Sequence, residues 1–192
     1  MPDSSSSGPD TSNLSKRYAL NHPRICPNCG TVVVKYSNPC PTADVIIYDE
    51  ERGIVLVKRG KEPLGMAIPG GFIEEGETAE HAAVREMKEE TSLDVELLGL
   101  LGVYSWPLRD MRCHTFTTVF VGRAAHPEQL CAGDDAADAA FYPLDALPGP
   151  LCFDHERVIA HFRDWLAGRR PLLPCVEDPA LEYGEIPYTR PF

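Results

Sequence analysis

Residues 71–93 read GFIEEGETAEHAAVREMKEETSL, and this stretch decides the fold. Inside it, Arg85-Glu86-Met87-Lys88-Glu89-Glu90 is a dense acidic run with one arginine set in it. On a helix, Glu86, Glu89 and Glu90 stand at i, i+3 and i+4, so their carboxylates share a face. Like charges gathered this way repel one another, and a hard divalent cation with oxygen ligands neutralises them. The bland alternative is a solvated acidic face. Unsupported by lysines, that face is mildly destabilising, so a metal site accounts for the run better. Thr78 is the expected N-cap, and the helix is expected to run to about Thr91. Ala83, Val84 and Met87 form a face that can pack on a sheet, while Ala82 is expected on the acidic face, leaving room for ions.

Upstream, ADVIIYDE (43–50) and IVLVKRG (54–60) read as strands joined by a turn at residues 49–53. KEPLGMAIPGG (61–71), punctuated by Gly and Pro, reads as a loop. Downstream, LDVELLGLLGVYS, HTFTTVFVGRA and AAFYPL read as strands. A second helix is expected from Phe153 or Asp154 to about Ala167, with Val158, Ile159, Phe162, Trp165 and Leu166 as its apolar stripe and Gly168 ending it. The expected organisation is a disordered tail (1–15), a small cysteine-bearing segment (16–41), a main domain (42–168) and an extended proline-rich tail (169–192) that drapes over the surface or a partner subunit.

A chain of 192 residues suits one domain with small appendages. A formal net charge of -11 argues against a sequence-independent grip on nucleic acid. It leaves small anionic substrates open, because metal ions can bridge two sets of negative charge. No apolar run is long enough to span a membrane, and MPDSSSSGPD lacks the basic start and apolar core of a secretory signal, so a cytoplasmic protein is expected.

Seven cysteines cannot all pair internally. Cys113, Cys131, Cys152 and Cys175 sit beside apolar residues and read as buried reduced thiols. Cys26-Pro-Asn-Cys29-Gly30 is a zinc-knuckle pattern, with Cys40 and His22 as candidate further ligands. No second CxxC follows at ribbon spacing, so it is half of a zinc ribbon. Either it binds Zn²⁺ through Cys26 and Cys29, or it is a metal-free remnant forming a small β-hairpin.

The spacing within residues 71–93 is specific: Gly71, five residues, Glu77, seven residues, Arg85-Glu86, an apolar Met87, one residue, Glu89-Glu90, and Leu93. It resembles the Nudix box of the Nudix hydrolases. Ser92 stands where that family usually has glycine, which weakens the helix exit but removes no ligand. The resemblance implies an α/β (α+β) fold, a Nudix-type α/β/α sandwich with a mixed central sheet. It also implies hydrolysis of a nucleoside diphosphate derivative. By matching positions, Glu86, Glu89 and Glu90 would bind Mg²⁺ or Mn²⁺, with a backbone carbonyl of Gly70 or Gly71 as a further ligand, and Arg85 would pair with Glu77 to orient the carboxylates. The general base varies in the family. A box glutamate is one candidate, and Asp134 and Asp135 are auxiliary carboxylates whose alternative is a turn.

Outside the box, Tyr104-Ser105, Arg109-Asp110, His114-Thr115, Gly133-Asp134-Asp135-Ala136 and Phe153-Asp154-His155 resemble the ADP-ribose pyrophosphatase branch. This implies ADP-ribose as substrate, cut to AMP and ribose 5-phosphate. Met111 replaces a proline common there. Arg59, Arg109 and Arg112 are candidate phosphate or ribose ligands, since arginine grips phosphate bidentately; surface ion pairs are the alternative. Tyr104 or Trp106 could stack on adenine or belong to the core. The half ribbon and Ser105-Trp106-Pro107 make an NADH pyrophosphatase the runner-up. A non-catalytic Nudix-like ligand sensor is the alternative from another class. A homodimer is expected by analogy alone.

Overall fold

The computed structural model describes residues 23–25, 27–30, 32–34, 38–133 and 136–180. The chain divides into two units, one up to Pro39 and one from Cys40. In the first, β1 (Pro23–Ile25) and β2 (Val32–Val34) pair antiparallel, with Ile25 opposite Val32. Residues 27–29 turn between them, and Gly30 adopts a φ of 70° that glycine tolerates. Cys29 is exposed on this turn, and Cys26 and His22 lie outside the described residues. Among the described residues no three His, Cys, Asp or Glu side chains gather to hold a metal, so the knuckle finds no support as a zinc site.

The second unit is a mixed seven-stranded sheet with a helix on each face. Its strands are β3 (Cys40–Asp49), β4 (Gly53–Arg59), β5 (Met66–Ala67), β6 (Gly70–Phe72), β7 (Val95–Tyr104), β8 (Thr115–Ala124) and β9 (Ala136–Tyr142). β3 is its spine. It runs parallel to β8 from Cys40 to Ile47 and antiparallel to β6 at Thr42–Asp44. It meets β4 only at Tyr48 and Asp49, after which β4 continues between β9 and β5. The two halves of the sheet thus part beyond the β3–β4 turn.

Strand alternation divides the core between the two helices, α1 (Ala79–Thr91) and α2 (His155–Leu166). Ala43, Val45, Ile47 and Phe120 pack against Ala82, Ala83 and Met87 of α1. Ile46, Val119 and Val121 pack against Val158, Ile159 and Phe162 of α2. Each fully buried large side chain contributes about 1.5–3 kcal/mol.

Four expectations need correction. Ala82 lies fully buried in the core rather than beside an ion site, because the buried apolar stripe runs through 82, 83 and 87. Leu166, at the end of the α2 stripe, is exposed. The stretch read as a loop contains β5 and the start of β6, whose glycines hid its strand character. Of the cysteines expected to be buried, Cys152 is, Cys113 and Cys175 are half-buried, and Cys131 is exposed.

The described part of the tail lies on this unit. Leu100 and Leu173 exchange two backbone hydrogen bonds, at 2.7 and 2.9 Å, which covers part of the edge strand β7. The backbone N–H of Val176 donates to Glu80 Oε1 at 3.0 Å. No helix among the described residues is long and apolar enough to cross a membrane.

Candidate active site

The acidic run occupies α1, and both helix ends are fixed. Thr78 Oγ1 accepts the backbone N–H of His81 at 3.1 Å, as an N-cap does. Ser92 takes the left-handed conformation at φ 61° and donates its N–H to Lys88 O at 3.0 Å. Cys131 and Gly133 donate backbone N–H groups to the carbonyls of Thr91 and Glu90. A Cβ on Gly133 would sit 1.7 Å from Glu89 O, so this approach requires glycine.

Arg85 spends every N–H it has on the site. Its Nε and Nη2 grip Glu77 bidentately at 2.7 and 2.9 Å, Nη2 also donates to Phe72 O, and Nη1 reaches Glu86 at 3.0 Å and Glu89 at 3.1 Å. These bonds hold the Glu77 carboxyl down at about 2 and push the Arg85 guanidinium above its ordinary range. The Glu77–Arg85 pair is the one that the resemblance implied.

Glu86, Glu89 and Glu90 line one cavity of about 440 Å³, opening where the half-sheets part. Strands β3, β4 and β6, the loop before β8 and the start of α2 supply its other walls. Burial raises the Glu86 carboxyl and pushes Glu90 up to about 7, with the neighbouring Glu86 and Asp44 charges adding to the latter. Glu90 Oε2 accepts the Gly70 N–H at 3.0 Å. Glu89 remains 59% exposed. A Cβ on Gly71 would lie 2.2 Å from Glu86 Oε1, so the carboxylate occupies the space that glycine leaves.

A buried polar network forms part of the cavity lining. Arg109, 7% exposed, donates to Asp154 at 2.9 Å, to Thr115 at 3.1 Å and to Thr117. Its Nη2 lies 4.0 Å from Asp44 Oδ2. His155 Nδ1 accepts the Ile68 N–H at 3.0 Å, and its Nε2 lies 3.6 Å from Asp44 Oδ2. Arg109 thus lines the cavity with intramolecular partners in place, while its buried Nη2 makes no hydrogen bond among the described residues. Asp44 escaped the sequence reading; its signal is a lone carboxylate within an apolar strand run.

Arg59 and Arg112 also line the cavity. Arg59 donates to the carbonyls of Pro63 and Glu62, and Arg112 pairs bidentately with Asp110 at 3.1 and 2.8 Å. The stacking assignment for Tyr104 is corrected. Tyr104 is buried in the core beneath α2, its hydroxyl 2.9 Å from His161 Nδ1, and it does not line the cavity. Trp106 is 60% exposed and also lies off the cavity, whose aromatic residues are Phe72 and Phe153. Asp134 and Asp135 lie outside the described residues.

The carboxylate set suits a hard divalent cation: its donors are all oxygen, and Glu86 and Glu90 are half-buried with raised proton affinity. Among the described residues these carboxylates form no preformed cage; Arg85 draws Glu86 and Glu89 to itself.

The family profile described as NUDIX domain matches residues 38–162. An ADP-ribose pyrophosphatase of Methanocaldococcus jannaschii is 46% identical over 135 residues, 69% of this chain and 78% of that protein. An NAD-capped RNA hydrolase NudC of Pseudomonas aeruginosa is 34% identical over 175 residues, 80% of this chain but 60% of that protein's length. Among solved structures, the NUDIX domain of Shewanella oneidensis NrtR complexed with ADP ribose superposes with a TM-score of 0.59 at 26% identity, covering 68% of this chain and 90% of that one.

Proposed function

The chain belongs to the NUDIX domain family, and from that premise we propose that it hydrolyses the pyrophosphate bond of ADP-ribose, releasing AMP and ribose 5-phosphate. The observation that carries this reading is the Arg85 guanidinium, which grips Glu77 and reaches Glu86 and Glu89 at the wall of a cavity. An acidic face restrained in this way is expensive for stability and useful for binding cations.

Glu86, Glu89 and Glu90, with a carbonyl of Gly70 or Gly71, would hold Mg²⁺ or Mn²⁺. When bound, the cation supplies charge for the phosphate oxygens and a more acidic water. The chain's own part is orientation. Glu77 anchors Arg85, Arg85 sets two carboxylates, and Gly70 N–H sets the third. Arg59 and Arg112 face the same cavity and would receive phosphate oxygens distant from the glutamates. The water's proton has candidate acceptors in the box glutamates, in Asp44 and in Asp134 or Asp135.

ADP-ribose is favoured by the 46%-identical relative named as an ADP-ribose pyrophosphatase and by the neighbour complexed with ADP ribose. A second reading, a dinucleotide such as NADH or an NAD cap, is favoured by the similarity to NudC across 80% of the chain. Turnover of ADP-ribose, NADH, NAD-capped RNA, diadenosine polyphosphates and oxidised dNTPs with Mg²⁺ separates them. Highest kcat/KM on ADP-ribose supports the proposal. Preference for NADH or capped RNA overturns the substrate, and no turnover at all overturns the enzyme.

A further inference from the structure

Phe153 sits just before α2 in the left-handed region at φ 59°, a conformation that a bulky side chain rarely adopts. Its ring packs against the small cluster of Val57, Ala67 and Cys152, and it lines the cavity. Two guanidiniums lie over this one ring: Arg59 Cζ is 5.1 Å and Arg112 Cζ 5.5 Å from its centroid. These arginines come from β4 and from the loop before β8, so the ring joins two cations far apart in sequence.

The charges around them are uneven. Arg112 is neutralised by Asp110, whereas Arg59 donates only to backbone carbonyls and has no carboxylate within 4.0 Å among the described residues. In each guanidinium Nη1 has no hydrogen-bond partner among the described residues. The quadrupole of an aromatic face attracts both cations and offsets part of their mutual repulsion. A strained backbone that aims a ring at two cations in a cavity wall is better explained by that placement than by packing alone.

We propose that Phe153 is a positioning residue: its ring holds the Arg59 and Arg112 guanidiniums at the cavity wall as a subsite for a phosphate or diphosphate group. The inference rests on the reading above in one respect, that these arginines meet the substrate's phosphates. Leucine at 153 keeps the apolar packing and removes the ring face, whereas tyrosine keeps the face.

The test compares wild type, Phe153→Leu, Phe153→Tyr and the Arg59→Met, Arg112→Met double variant. Each is assayed for ADP-ribose turnover and titrated calorimetrically with inorganic pyrophosphate in saturating Mg²⁺, with melting temperature as the check on folding. Phe153→Leu is expected to raise KM and weaken pyrophosphate binding about five- to tenfold, with kcat falling much less. Phe153→Tyr should restore wild-type values. Wild-type KM and pyrophosphate affinity in folded Phe153→Leu, with the arginine variant impaired, would overturn the role of Phe153 alone. Wild-type behaviour of both would overturn the subsite, and so would failure of the wild type to bind pyrophosphate. Absence of ADP-ribose turnover, with pyrophosphate binding still dependent on Phe153, would overturn the substrate and leave the subsite standing.

Discussion

The backbone N–H of Gly70 donates to Glu90 Oε2 at 3.0 Å, tying β6 to the acidic face of α1. The contact depends on glycine, because a Cβ on Gly70 would lie 2.3 Å from Asp44 Oδ1 and the residue sits at φ 156°. Strand, helix and cavity wall are thereby fixed to one another at a single residue.

Gly71 extends that relation to Glu86. Gly71→Ala places a methyl where the Glu86 carboxylate now lies, 2.2 Å from Oε1. That carboxylate is the far end of a flexible side chain, so it can move aside at little cost in stability. Its displacement should cut kcat by about a hundredfold or more, since catalysis depends on placement within about an ångström. Steady-state kinetics beside a thermal melt checks both halves.

Glu90 is a half-buried carboxyl raised to about 7, so its charged form opposes folding of the metal-free protein at higher pH. Glu90→Gln keeps the shape and removes the charge. It should raise the melting temperature in EDTA at pH 8, by a stabilisation of about 1–3 kcal/mol, while activity is lost. Unchanged melting would mean that the carboxylate is already compensated.

Glu77 gives the opposite sign. Its folded value of about 2 lies below the ordinary 4.5. The stability it adds is fully present above about pH 4.5 and is lost as pH falls towards 2. Wild type should therefore lose more stability than Glu77→Gln across that window, as read by urea melts at successive pH values.

His155 accepts the Ile68 N–H at 3.0 Å inside the core. His155→Ala leaves that donor unsatisfied and should cost about 1–3 kcal/mol, a fall of several degrees in melting temperature. By contrast Ser92→Gly relieves a left-handed serine at φ 61° and should stabilise by up to about 1 kcal/mol.

These residues also mark how far the sequence could be read. The cap at Thr78 is a local signal, while the exit at Ser92 and the Arg85–Glu77 pair are expectations from the resemblance to the Nudix box. Tyr104 was not open to such reading. The β7–β8 register shifts twice, between Leu97 and Gly99 and between Leu100 and Gly102, so simple alternation loses track of which face Tyr104 meets. The network of Asp44, Arg109 and the adjacent Asp154 and His155 joins three places distant in sequence, and only the folded sheet brings them together. The intramolecular partners of Arg109 are invisible in the chain for the same reason.

The most direct test is ADP-ribose hydrolysis by wild type and Glu89→Gln, followed by separation of products with Mg²⁺ and with EDTA. Glu89 is exposed at the cavity, so its substitution should leave the fold intact. The account predicts AMP and ribose 5-phosphate from wild type with Mg²⁺, none in EDTA, and a loss of about a hundredfold or more in Glu89→Gln. Turnover that persists in EDTA, or a folded Glu89→Gln protein with near-normal rate, would contradict it.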